Sequence, residues 1–120
     1  MTRRSRTPAT VEGQLRLGAG LSASERDAIV RQLARLDARL RAFPADGTDL
    51  QVSVKDRDCR TQRTVLECRL PHLRAMVATS QHTDLRLAVA EVRNELLHQL
   101  DQTKTRLDRR HDRETVRTMP

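Results

Sequence analysis

The apolar residues of this chain change their spacing twice, from a helical period to a strand period and back. In residues 22–43, Ile29, Leu33, Leu36 and Leu40 recur at steps of four, three and four, which places them on one stripe of a helix. Residues 50–78 alternate with period two, and the helical period returns in residues 83–107. A chain with this pattern buries its apolar residues by packing helices on one face of a sheet, so the fold class is α+β.

The alternating region predicts three strands, and the weaker alternation of residues 14–17, ahead of Gly18 and Gly20, predicts a short one before them. The resulting order is β-α-β-β-β-α. The side chains expected to face the core are Leu50, Val52 and Val54 in one strand, Thr64, Leu66, Cys68 and Leu70 in the next, and Leu73, Ala75 and Val77 in the last.

Both predicted helices carry recognisable ends. Ser22 and Glu25 form a capping box at the start of the first helix, and Pro44 with Gly47 ends it. Thr83 or Asp84 caps the second helix. We therefore expect a two-layer sandwich, a four-stranded sheet with two helices on one face, in which the first two strands are parallel if they are adjacent.

The 120 residues are about one domain in length. We expect residues 1–12 to be a disordered basic arm, residues 13–107 to form the single domain, and residues 108–120 to be a charged, partly helical C-terminal tail. No run of 18 apolar residues is long enough to span a membrane, and two cysteines without a secretory signal indicate a reducing compartment. The expectation is a soluble cytoplasmic protein.

Composition narrows the class of partner. The net charge of +7 favours a polyanionic partner. Phe43 is the single aromatic residue, so we do not expect a protein that binds single-stranded nucleic acid by stacking bases on aromatic side chains. Nucleic acid is favoured over a membrane surface because no amphipathic stretch combines basic residues with bulky Trp or Phe.

Residues able to carry catalysis are scattered. The four histidines belong to no recognisable motif, and neither Gly18 nor Gly20 belongs to a phosphate-binding fingerprint. The nearest metal-ligand set, Cys59, Cys68, His72 and His82, lacks the paired spacing of a zinc site. We expect no enzyme activity, no cofactor and no small-molecule substrate.

Positive charge is segregated on the predicted helices. Arg31, Arg35 and Arg39 lie within an arc of about 80° on the first helix, and Arg86, Arg93 and Lys104 lie within about 20° of one another on the second. Glu91 and Glu95 occupy the opposite flank of the second helix. These arginines are either a phosphate-binding surface or simply solvated helix faces.

The order of elements and several short segments resemble the ribosome hibernation-promoting factor and ribosome-associated inhibitor family, also called sigma modulation proteins. Residues 84–90 read Asp-Leu-Arg-Leu-Ala-Val-Ala where that family has Asp-Met-Tyr-Ala-Ala-Ile-Asp. Residues 73–75 are similar to its Leu-Arg-Ala segment, and residues 33–37 resemble its Phe-Ala-Lys-Leu-Glu segment. The similarity spans residues 14–107, as in the short members of the family.

This resemblance implies a nonenzymatic factor, monomeric off the ribosome, that binds small-subunit rRNA between head and body in the mRNA and tRNA channel and inhibits translation under stress. Together with the segregated charge of the helices, it leads us to expect RNA binding by Arg31, Arg35, Arg39, Arg86, Arg93, Lys104, Arg106, Arg109 and Arg110. The alternative is a protein-interaction module that kept this fold but lost RNA binding, because residues 83–107 hold four bases and four acids.

Overall fold

A computed structural model describes the backbone of residues 7–118 and the side chains of residues 7–103. It contains a four-stranded sheet with helices, which confirms the α+β class. The strands are β1 (Leu15–Leu17), β2 (Asp49–Lys55), β3 (Arg63–Arg69) and β4 (Met76–Ser80). The α-helices are α1 (Val11–Gln14), α2 (Arg26–Leu33), α3 (Asp37–Leu40) and α4 (Leu85–Thr118).

The sheet has the strand order β1-β2-β3-β4. β1 is parallel to β2, as expected for adjacent strands joined by a helical crossover, whereas the β2-β3 and β3-β4 pairs are antiparallel. Alternate residues of the strands are buried against the helical layer, including Leu50, Val52, Leu66 and Cys68. The opposite face of the sheet, which we call the open face, carries polar residues such as Lys55 and Arg63.

The first predicted helix is present but is divided. One 3-10 turn, Ala23–Glu25, leads into α2, and a second, Ala34–Leu36, joins α2 to α3. Both halves of the stripe are buried, since Ile29, Leu33, Leu36 and Leu40 are at most 2% exposed. The predicted N-terminal cap is also present, because the Ser22 backbone N–H donates to Glu25 Oε1 at 3.0 Å.

The prediction of which side chains of the last strand face the core is wrong. Leu73 and Ala75 precede β4, which begins at Met76, and the residues that face the core are Met76, Ala78 and Ser80. Val77, which we expected to be buried, is 47% exposed. Because side chains alternate across a strand, a shift of one residue exchanges the two faces.

The packed region also begins before the predicted boundary at residue 13. Ala9 and Val11 are fully buried, and the Ala9 N–H donates to the Phe43 carbonyl at 3.0 Å. The Val11 N–H donates to Asp37 Oδ1 at 2.7 Å, so α3 holds the start of α1. A disordered arm through residue 12 is therefore wrong for residues 8–12, and Gln14, assigned to the first strand, ends α1 instead.

The long C-terminal helix begins as the sequence predicts. Asp84 caps α4, because its Oδ1 accepts the Arg86 N–H at 2.9 Å. The face of α4 toward the sheet is buried through Val89, Val92 and Leu96. Among the described residues, no helix is long and apolar enough to cross a membrane.

Candidate nucleic-acid interface

A groove separates the start of α2 from the start of α4. It has a volume of about 680 Å³, and Ala28, Ile29 and Leu85 supply its apolar lining. Arg31 of α2 and Arg86 of α4 line the same groove. The structure thus brings together one arginine from each of the two groups that the sequence singled out.

The two groove arginines are free to meet a ligand. Both residues are exposed, and among the described side chains neither guanidinium has a hydrogen-bond or ion-pair partner. Arg35 lies on the 3-10 turn Ala34–Leu36, four residues after Arg31. It is also exposed, and its guanidinium has no partner within the described part of the chain. Exposed guanidinium groups of this kind can contact phosphates without breaking an existing ion pair.

Arg39 and Arg93 lie instead at the interface between α4 and the α2-α3 region, which we call the seam. Arg39 Nε lies 2.5 Å from Asp101 Oδ1 of α4, and this hydrogen bond raises the pKa of Arg39. Arg93 Nη1 donates to the Gln32 carbonyl oxygen at 3.1 Å. Both side chains are half-buried and link α4 to the first helical region, so much of their hydrogen-bonding capacity is used inside the protein.

Gln32 holds the seam at the edge of the groove. The side-chain Nε2 of Gln32 donates to the backbone carbonyl oxygen of Arg86 at 3.0 Å, while the backbone carbonyl oxygen of Gln32 accepts from Arg93 Nη1. Because these two bonds join α2 to α4 in both directions, they fix the spacing between Arg31 and Arg86. The groove is therefore held by contacts between α2 and α4 that do not involve the guanidinium groups of Arg31 and Arg86.

One acidic residue, Glu25, also lines the groove. Its carboxylate accepts from Arg57 Nη1 at 2.8 Å and from Nη2 at 2.6 Å. The hydrogen bonds from the Arg57 guanidinium and the Ser22 N–H lower the pKa of Glu25 to about 2. Glu25 is therefore an anion at neutral pH, but one whose charge is offset by Arg57, so the unpaired charge of the groove is positive.

The remaining sequence-predicted RNA-binding residues, Lys104, Arg106, Arg109 and Arg110, lie outside the side chains that the structure describes. Their backbone belongs to α4, which continues to Thr118.

The sequence did not predict Gln32 and Asp101, the two hydrogen-bond partners of the arginines in the seam. They lie 61 and 62 residues along the chain from Arg93 and Arg39, respectively. No local motif marks them, because an exposed Gln or Asp on a helix is the ordinary case. The helical period placed Arg93 beside the apolar stripe of the second helix, where helices pack together, but it placed Arg39 away from the stripe of the first helix.

The cysteines are far from any metal-ligand arrangement. Cys68 is fully buried on β3, whereas Cys59 is exposed in the loop between β2 and β3. Within the described residues, no group of three or more His, Cys, Asp or Glu side chains is arranged to hold a metal ion.

No protein-family model matches the chain, and no curated protein sequence is significantly similar to it. The resemblance to the hibernation-factor family therefore rests on the short segments quoted above.

Proposed function

We propose that this protein inhibits translation by binding small-subunit rRNA through the exposed arginines of its helical layer. The observation that carries the proposal is the meeting of Arg31 and Arg86 at one groove, with Arg35 exposed beside them. Two helices then present unpaired guanidinium groups on one side of the molecule. Contacts of this kind to phosphate position a protein on RNA without reading its sequence.

The distribution of charge supports a polyanionic partner. Residues 104–118, the C-terminal part of α4, add six basic residues against three acidic ones. Each phosphate that these cations neutralise releases counterions, which favours binding at low salt. The resemblance to ribosome-associated inhibitors makes rRNA of the small subunit the proposed form of that polyanion.

The test is inhibition of a cell-free translation reaction by the purified protein. The site variant is Arg31→Glu/Arg86→Glu. We expect the concentration for half-inhibition to rise by about tenfold or more, because two attractive phosphate contacts become repulsive. The thermal midpoint should remain nearly unchanged, since exposed charges contribute little to stability.

The matched control is Lys55→Glu/Arg63→Glu, which lowers the net charge by the same amount. Lys55 and Arg63 are exposed cross-strand neighbours on the open face. The control should inhibit as well as the wild type. Equal inhibition by the wild type and the site variant would contradict the proposal, as would equal losses in the site variant and the control.

A further inference from the structure

Within residues 7–118, β4 is an edge strand with no strand on its outer side. In the described part of the chain, β3 is the single strand paired with β4. The Val77 carbonyl oxygen accepts a hydrogen bond from Gln99 Nε2 of α4 at 3.0 Å, so the backbone of Val77 faces away from β3. Because inward and outward backbone groups alternate along an edge strand, the backbone of Thr79 faces outward as well.

A groove of about 600 Å³ runs between this edge and α4. Its lining residues are Val77, Ala78, Thr79, Glu91, Asn94 and Glu95. Two of them are acidic and exposed, and none is basic. The groove is therefore negative in a protein whose net charge is +7, in contrast to the groove lined by Arg31 and Arg86.

One exposed apolar side chain, Val77, lines the same groove. Val77 is 47% exposed and Leu87 is 48% exposed, and these are the large apolar side chains most open to solvent in the described region. Val77 lies on the edge strand itself, and Leu87 lies one helical turn before Glu91 on α4. Apolar surface beside an unpaired strand edge is a common mark of a peptide-binding site.

We propose that an extended basic peptide segment of a partner protein docks here as a fifth strand beside β4. Its main chain pairs with the outward backbone groups of Val77 and Thr79, and its N–H takes the place of the Gln99 amide. Since side chains alternate across a strand, its Lys or Arg residues meet Glu91 and Glu95 on the helical side of the sheet. The residues between them are apolar and pack beside Val77 on the open face.

Hydrogen bonds from Ser80 and Gln99 satisfy the two acidic side chains in the free protein. Ser80 donates its hydroxyl hydrogen to Glu91 Oε1, and Gln99 Nε2 lies 3.1 Å from Glu95 Oε2. Gln99 thus contacts both a carboxylate and the edge carbonyl. It satisfies the edge when no peptide is present, and its amide is displaced when a strand is added.

The probe is a fluorescent peptide with the sequence Lys-Val-Lys-Val-Lys-Val, followed by fluorescence anisotropy with the full chain. A peptide of the same composition in blocks, Lys-Lys-Lys-Val-Val-Val, carries the same charge without the alternation. We expect saturable binding of the alternating peptide and affinity lower by about fivefold or more for the block peptide, which cannot place its charges and apolar groups on opposite faces.

Three variants and one control test the geometry. Thr79→Pro removes an outward N–H and should weaken binding about tenfold. Glu95→Gln should weaken it about threefold, as expected for one exposed charge pair, whereas Glu12→Gln, at an exposed acidic residue of α1, should leave it unchanged. Gln99→Ala, which frees the Val77 carbonyl without touching the strand, should strengthen binding even if Thr79→Pro perturbs folding.

Equal binding of the two peptides, absence of saturable binding, or weaker binding by Gln99→Ala would overturn the proposal. The proposal would also be overturned if the wild type forms a dimer and Gln99→Ala forms it more tightly, because the occupant of the β4 edge would then be a second copy of the chain. These outcomes are independent of translation inhibition, because the two grooves share no residue.

Discussion

The ion pair of Glu25 and Arg57 joins three parts of the molecule. The Glu25 carboxylate caps the first helical region through the Ser22 N–H, and it pairs with Arg57 of the loop that follows β2. Arg57 also donates to the Gly20 carbonyl oxygen at 2.7 Å. Through these contacts, Glu25 and Arg57 together hold the turn after β1, the start of the first helical region and the β2-β3 loop beside the groove lined by Arg31 and Arg86.

The first prediction concerns the pH dependence of this contact. The pKa of Glu25 is about 2 in the folded protein against an ordinary value of 4.5. Its contribution to the free energy of unfolding is therefore complete above pH 4.5 and is lost as the pH falls toward 2. Glu25→Gln should lower the free energy of unfolding by about 1 kcal/mol at neutral pH, because the pair is partly exposed.

Urea unfolding across this pH range provides the measurement. The difference between the wild type and Glu25→Gln should shrink as the pH falls from 4.5 toward 2. A difference that stays constant over the whole range would show that the carboxylate charge does not stabilise the fold.

The two cysteines should react at very different rates. Burial raises the pKa of the Cys68 thiol to about 12, whereas Cys59 is exposed. Because the thiolate is the reactive form, we expect Ellman's reagent to modify Cys59 rapidly in the folded protein and Cys68 only on unfolding. The Cys59→Ser variant should then show almost no fast reaction, and rapid labelling of that variant would contradict the buried position of Cys68.

At the scale of the elements, the sequence predicted the buried faces of both β2 and β3, and the alternation is unambiguous in β2. Apolar and polar residues alternate strictly in β2, so a single face can be buried. Around β4 the alternation fails as a guide, since Ala75 and Val77 are apolar and so are Met76 and Ala78. Packing against α4 decides between the two faces, and a single sequence does not show that contact.

A pair of lysine substitutions tests the β4 register. Val77→Lys should change the free energy of unfolding by no more than about 0.5 kcal/mol, because the position is open to solvent. Ala78→Lys should cost about 3 kcal/mol or more, because it places a charge at a site that is 1% exposed. Chemical denaturation measures both values. A larger loss for Val77→Lys than for Ala78→Lys would show that Val77 faces the core, as the sequence predicted.

At the scale of the whole molecule, the two sides of the helical layer differ in charge. Arg31, Arg35 and Arg86 lie at or beside the groove between α2 and α4, while Glu91 and Glu95 lie along β4 on the opposite flank of α4. The helical periods in the sequence predicted this division, since they separate charge by angle around each helix. The contacts between helices were not predictable, because Arg39 and Arg93 find their partners only when the distant segments pack together.

The central claim is that unpaired arginines of the helical layer bind phosphates of small-subunit rRNA. The most direct test is the affinity for purified small subunits measured at several salt concentrations for the wild type and Arg31→Glu/Arg86→Glu. We predict a steep fall in affinity with salt for the wild type, and a slope of log affinity against log salt that is smaller by about 1.5 in the variant, because two phosphate contacts are lost. A flat slope for the wild type, or the same slope for both proteins, would contradict the claim.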